Sequence, residues 1–112
     1  MSPQTVTSWQ VFVRMIELTG HLFCATQAQA EIVRIHLPRH VELTRAETGC
    51  VRFEVTPTSD PLVWQVHEVF STRVEFEAHQ RRVRDSEWGQ VTAGIERDYV
   101  MTETNTEPGQ HG

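Results

Sequence analysis

Two residues near the middle of the chain have the types and positions to move a proton. Glu68 lies in an apolar run, residues 62–70, on the parity of Leu62, Trp64, Val66 and Phe70. A carboxylate buried there without a partner is costly, so Glu68 needs one. His79 follows on a helical stretch that opens at Ser71-Thr72, where Phe76, His79 or Gln80, and Val83 form the inward stripe. Two readings stay open. The pair can hydrogen-bond to each other and lock helix to sheet, or His79 can act directly on a ligand. His36 and His40 stand at i and i+4 and would suit a metal on one helix face. No third ligand is evident and Pro38 lies between them, so no metal site is expected.

What the chain lacks also limits the chemistry. All ten basic residues are Arg. Without Lys there is neither a Schiff-base amine nor a phosphate-loop Lys, and no Gly-rich dinucleotide motif is present. Cys24 and Cys50 match no metal spacing and read as small buried hydrophobes. The net charge of −5 argues against nucleic acid as a partner. No apolar run approaches the ~20 residues needed to span a bilayer. Met1-Ser2-Pro3-Gln4 does not open a secretory signal. The expectation is one soluble, cytoplasmic domain of 112 residues.

The elements that position these residues read in order. Residues 1–14 form an N-terminal extension, with strand favoured over helix. Residues 15–27 read as a first strand, interrupted by Gly20, which marks a bulge or a close backbone approach. Residues 28–47 read as a helix with Val33, Leu37, Val41 and Thr44 on one stripe and a kink or short break at Pro38. Gly49 suits a left-handed cap. Val51, Phe53 and Val55 alternate in a strand at 50–57, and a Pro-rich turn leads to an antiparallel strand at 62–70. Thr72 with Glu75 fits a capping box. Arg81, Arg82 and Arg84 face outward. The chain breaks and restarts near residues 85–89, with Trp88 plugging one end of the domain. A last strand spans 96–103, and residues 104–112 form a disordered tail. The order β-α-β-β-α-β defines an α+β, ferredoxin-like fold. Its helices cover one sheet face. The other face is too apolar for water, so a homodimer packing two sheets into a dimeric α+β barrel is expected.

Three stretches carry a family resemblance. Arg45-Ala46-Glu47-Thr48-Gly49-Cys50-Val51-Arg52-Phe53-Glu54-Val55, then Trp64-Gln65-Val66-His67-Glu68-Val69-Phe70, then Phe76-Glu77-Ala78-His79-Gln80 resemble the antibiotic biosynthesis monooxygenases. The likeness covers about residues 15–102, the domain being drawn at 15–103. It implies a small monooxygenase that uses O2 without metal or flavin on a quinol, anthrone or related phenol. Such an enzyme binds a flat aromatic molecule in an apolar cavity, takes one proton and holds the anion. His79, His67 or His40 would serve as base, with Glu68 as the other motif residue. Arg52 would hold the anion, and Trp64, Phe53, Phe70 and Trp88 would wall the cavity or fill the core. The alternatives are a non-catalytic dimer binding a small apolar ligand, or a heme-binding or heme-degrading member. Heme degradation ranks low, because residues 85–90 hold no His for an axial ligand.

Overall fold

Four strands and three helices follow one another in the computed structural model, which describes residues 13–106. They are β1 (Val13–Phe23), α1 (Gln27–Arg45), β2 (Cys50–Pro57), β3 (Val63–Phe70), α2 (Arg73–Asp85), α3 (Glu87–Val91) and β4 (Glu96–Thr106). The strands form one antiparallel sheet in the order β2-β3-β1-β4. This is the α+β, ferredoxin-like order expected, with α3 as an added turn.

The two-residue period of the strands sorts their side chains onto two faces. Ile16 pairs with Phe70, Leu18 with Glu68, and Gly20 with Val66. Phe53 flanks Glu68 from β2. These residues face the helices. Ile16, Leu18, Leu22, Val66 and Phe70 meet Val33 and Leu37 of α1, Phe76 of α2 and Trp88 of α3 to form the core. No helix among the described residues is long and apolar enough to cross a membrane.

Caps set the helix limits. Thr26 Oγ1 accepts from Gln29 N at 3.1 Å, so β1 ends at Phe23 and the chain turns into α1 earlier than expected. Thr72 caps α2 as the capping-box spacing predicts, accepting from Glu75 N at 3.2 Å. Ser86 ends α2 and starts α3, donating to Val83 O at 2.7 Å and accepting from Gly89 N at 3.0 Å. This break turns Trp88 inward.

Two expectations change, and the open choice at Gly20 is resolved. α1 runs through Pro38 without a break, because Pro38 sits on the exposed side while Val33, Leu37, His40 and Thr44 anchor the buried side. β4 continues past 103 to Thr106, its polar end paired along β1 as far as Val13. Cross-strand hydrogen bonds and a Thr-rich sequence sustain it where apolar residues do not. Gly20 makes a close approach rather than a bulge: its pairing is continuous, and a Cβ there would meet the Asp98 carbonyl at 2.0 Å. Gly49 takes the left-handed φ of +87° that its place after α1 suggests, although Ala46 is the cap residue. The expectations for residues 1–12 and 107–112 lie outside the described residues.

Candidate active site

His79 occupies the centre of the helix-facing side and is 3% exposed. Its ring lies 4.8 Å from Phe70 and 5.9 Å from Phe53, measured between centroids. Its Nδ1 is 2.7 Å from Glu47 Oε1. A carboxylate only accepts, so Nδ1 carries the proton and donates it. Burial holds His79 below its ordinary value, against the pull of Glu47 and with a smaller push from Arg82. The neutral ring with Nδ1 protonated leaves Nε2 as a lone pair aimed into the interior.

Glu68 Oε1 is the polar atom that Nε2 faces, at 3.7 Å. That distance is too long for a hydrogen bond. The expected Glu68–His79 lock is therefore absent, and His79 is tied to Glu47 instead. Glu68 Oε1 is buried without a hydrogen-bond partner. Burial pushes its carboxyl up to about 7; Glu47 adds to the rise and Arg97 opposes it. In place of the expected partner, burial favours the protonated form of Glu68 up to about neutral pH.

Glu47 is the residue the sequence left without a role. It sits in the α1–β2 loop, where no periodicity assigns a direction. Its other oxygen accepts from Arg82 Nε, and Arg82 Nη2 donates to Thr44 Oγ1 at 3.1 Å. Arg82 thus reaches back across the α1–α2 seam rather than facing outward. Its long stem allows this from a position next to the buried stripe. The Glu-x-Gly at residues 47–49 was the available signal for Glu47.

His40 joins the same cluster from α1. Its ring stacks on Trp88 at 4.6 Å and 4°, meets Phe53 edge-on at 5.2 Å, and lies 6.2 Å from His79. Nδ1 has no hydrogen-bond partner. Burial, with help from the nearby positive charges, pushes His40 down to about 3, so it is neutral at ordinary pH. Tyr99 of β4 adds a phenol that burial pushes up to about 12. Arg97 beneath it is held by the carbonyls of Thr92 and Ile95 at 2.8 and 2.9 Å.

The fold divides the residues proposed from the sequence. His79, Glu68, Phe53, Phe70 and Trp88 come together, with His40. His67 and Arg52 do not, since their parity puts them on the opposite sheet face. There His67 Nε2 meets Glu17 Oε2 at 2.6 Å, and Nδ1 meets Arg52 Nη1 at 3.3 Å. Arg52 can only donate, so His67 Nδ1 accepts and Nε2–H donates to Glu17. Neither residue reaches the His79 cluster through the sheet. Trp64 shares the helix-facing parity but lines a separate groove of about 530 Å³ near the start of α1, with Ala30, Pro61 and Leu62. His36 lies 3.7 Å from Glu87.

A buried histidine thus stands between two glutamates on a split β-α-β-β-α-β sheet. The chain belongs to the antibiotic biosynthesis monooxygenase family, whose model matches residues 15–85. Solved structures share the fold. A candidate antibiotic biosynthesis monooxygenase from Nitrosomonas europaea is 17% identical with a TM-score of 0.68, over 84% of this chain and 92% of that one. A conserved protein of unknown function from Bacteroides thetaiotaomicron is 16% identical with a TM-score of 0.66, over 80% and 97%. MupZ from Pseudomonas fluorescens is 14% identical with a TM-score of 0.67, over 80% and 67%. At these identities the likeness speaks to fold alone. No curated protein matches the chain.

Proposed function

We propose that this chain is a small monooxygenase that acts with O2 on a quinol, anthrone or related phenol and supplies no metal, flavin or heme of its own. The observation that carries the reading is the line Glu47–His79–Glu68 inside an aromatic enclosure. One carboxylate fixes the imidazole tautomer, the imidazole offers Nε2, and the second carboxyl, pushed up to about 7, can hold and release a proton near neutral pH.

The chemistry follows from these roles. An anthrone loses the proton of its activated CH2 to His79 Nε2 and becomes an enolate. The enolate, being electron-rich, passes one electron to O2. The carbon radical and superoxide then combine, forming a C–O bond, and protonation gives a hydroperoxide. The O–O bond breaks as the second C–H proton leaves and a C=O forms. Protonated Glu68 gives its proton to the departing hydroxide, which leaves as water; His79 Nε2, free again after protonating the peroxide, takes the second C–H proton and returns it to Glu68. One oxygen atom enters the product and one enters water, so O2 takes the four electrons the substrate releases. Phe53, Phe70 and Trp88 supply the dry, flat surroundings in which an unquenched enolate meets oxygen.

The reading includes a homodimer. The helices leave one sheet face uncovered, and Phe23, Val63, Val69 and Val100 lie on it. Packing two such faces together would put each pocket on the outer, helix side of its own protomer.

The test is oxygen uptake by the purified protein with a panel of reduced quinols and anthrones, with no metal, flavin or heme added. His79→Ala should lower the rate above autoxidation by about 10²–10⁴-fold, as loss of a positioned general base does. Glu47→Gln, which keeps one acceptor for Nδ1–H but loses the charge and the oxygen that accepts from Arg82, should lower it less. Uptake that His79→Ala leaves unchanged would overturn the assignment of the base.

A further inference from the structure

The buried histidines pose a problem of access. His79 is 3% exposed and His40 is 4% exposed, yet a base must touch its substrate. Two cavities approach the pair from outside. One, of about 320 Å³, is lined by Glu47, Thr48, Glu75, Ala78, His79 and Arg82. The other, of about 110 Å³, has His36, Arg39, His40, Leu43, Arg82 and Trp88 among its walls. The first reaches His79 and the second reaches His40. Arg82 lines both.

Arg82 is the residue the two linings share. Its side chain starts on α2, crosses to the C-terminal end of α1, and is held there by Glu47 and Thr44 Oγ1. It is 31% exposed, so water competes for its contacts. Behind it, the rings of His40 and His79 stand 6.2 Å apart with Phe53 in edge contact with both. His40 Nδ1 has no partner and is available to a ligand's hydroxyl or carbonyl.

We propose that the seam between α1 and α2 is the entrance to the His79 site, and that the Arg82 side chain is its door. When the guanidinium leaves Glu47 and Thr44, the two cavities join, and a flat hydroxyaromatic molecule enters between the helices to reach both histidines. The larger cavity alone sits at the lower end of the roughly 300–1,000 Å³ range of small-molecule sites, so one or two fused rings fit best. Opening also prepares the base. Glu47 divides its charge between Arg82 and His79 while the door is shut. Once Arg82 has left, the whole carboxylate acts on Nδ1–H, and Nε2 accepts a proton more readily. The inference rests on His79 being a ligand site, and does not depend on the oxygen chemistry.

The experiment measures histidine access directly. Diethyl pyrocarbonate modifies neutral imidazoles it can reach, and peptide mass spectrometry assigns each modified residue. His40 and His79 should react slowly in the unaltered protein, and millimolar 2-naphthol should slow them further. Arg82→Ala should speed modification of both by ~10-fold or more while leaving His21 on the opposite sheet face unchanged. Arg81→Ala, at an exposed neighbour, should change neither. Arg82→Lys keeps a charge beside Glu47 but loses the bond to Thr44. It should give an intermediate rate, and it secures the test should Arg82→Ala fold poorly. Unchanged rates at His40 and His79 in a folded Arg82 variant would overturn the proposal. Because the readout is access, absent oxygen uptake would defeat the oxygenase reading and leave this result standing.

Discussion

Glu68 and His40 are both buried and both forced toward neutrality, but they respond to pH with opposite signs. Glu68 titrates at about 7 in the fold, above the ordinary carboxyl value of 4.5. Its contribution is fully present below the ordinary value and is lost as pH rises through about 7, since the unfolded chain releases the proton first. Glu68→Leu removes that penalty and an unpartnered oxygen at similar volume. The variant should match or exceed the parent Tm at pH 8, lose that advantage at pH 5, and lose turnover at both. A lower Tm than the parent at pH 8 would show that Glu68 has a favourable partner. His40 titrates at about 3, below its ordinary 6.5. Its contribution is present above 6.5 and lost as pH falls, because the unfolded chain takes up the proton first. In urea unfolding, His40→Phe should gain on the parent by on the order of a few kcal/mol between pH 7 and pH 4. A gap that stays flat with pH would mean His40 is not held neutral. Strand parity made Glu68 legible in the sequence, and helical spacing narrowed the inward position on α2 to His79 or Gln80. Glu47 was not legible, because it was read as the end of a helix over 28–47 whereas α1 stops at Arg45 and leaves it in a loop without a period, and Arg82 was misread because helical spacing gives a stem's direction but not its tip's.

At the scale of elements, alternation and caps carried most of what could be read. β2 and β3 were legible because Phe53 in β2 and Val66, Glu68 and Phe70 in β3 keep a two-residue step and a Pro-rich turn joins them, although a register shift between Cys50 and Arg52 leaves Val51 exposed. α2 was legible from Thr72 and Glu75. The errors fall where two local signals compete. Thr26 looks like strand composition but acts as a cap. Residues 104–106 look like a tail but pair along β1. Pro38 should break a helix, yet α1 holds on the strength of its buried side. That outcome yields a prediction. A helix that tolerates Pro38 without a break still lacks one backbone hydrogen bond, at a cost near 3 kcal/mol relative to Ala. The stiffer unfolded chain returns roughly 0.4–1 kcal/mol. Pro38→Ala should therefore stabilise the fold by about 1–3 kcal/mol in urea unfolding. A loss of stability would show that α1 depends on the shape proline imposes, and through it the placement of His40 two residues on.

At the scale of the whole molecule, the sheet separates two surfaces that the sequence had merged. His67 and Arg52 were grouped with His79 as site residues, but with Glu17 they form a polar cluster on the open face. The site and the open face can therefore be altered independently. This gives the dimer proposal a clean test. Val100 lies on the open face, paired with Thr19 of β1, and is 61% exposed. In a face-to-face dimer it would be covered, and a carboxylate there would lose its water without gaining a cation. Light scattering of the unaltered protein should give twice the chain mass of 12.9 kDa, and Val100→Glu should bring it down toward 12.9 kDa. A parent that already weighs 12.9 kDa would remove the dimer from the proposal. The variant then answers a second question. Glu47, His79, Glu68, His40 and Arg82 all belong to one protomer and one side of its sheet, so a Val100→Glu monomer should keep its histidine accessibilities. If His79 became open in the monomer while Arg82 stayed in place, the partner's sheet would be holding the pocket's floor rigid, and the two surfaces would be coupled through β3.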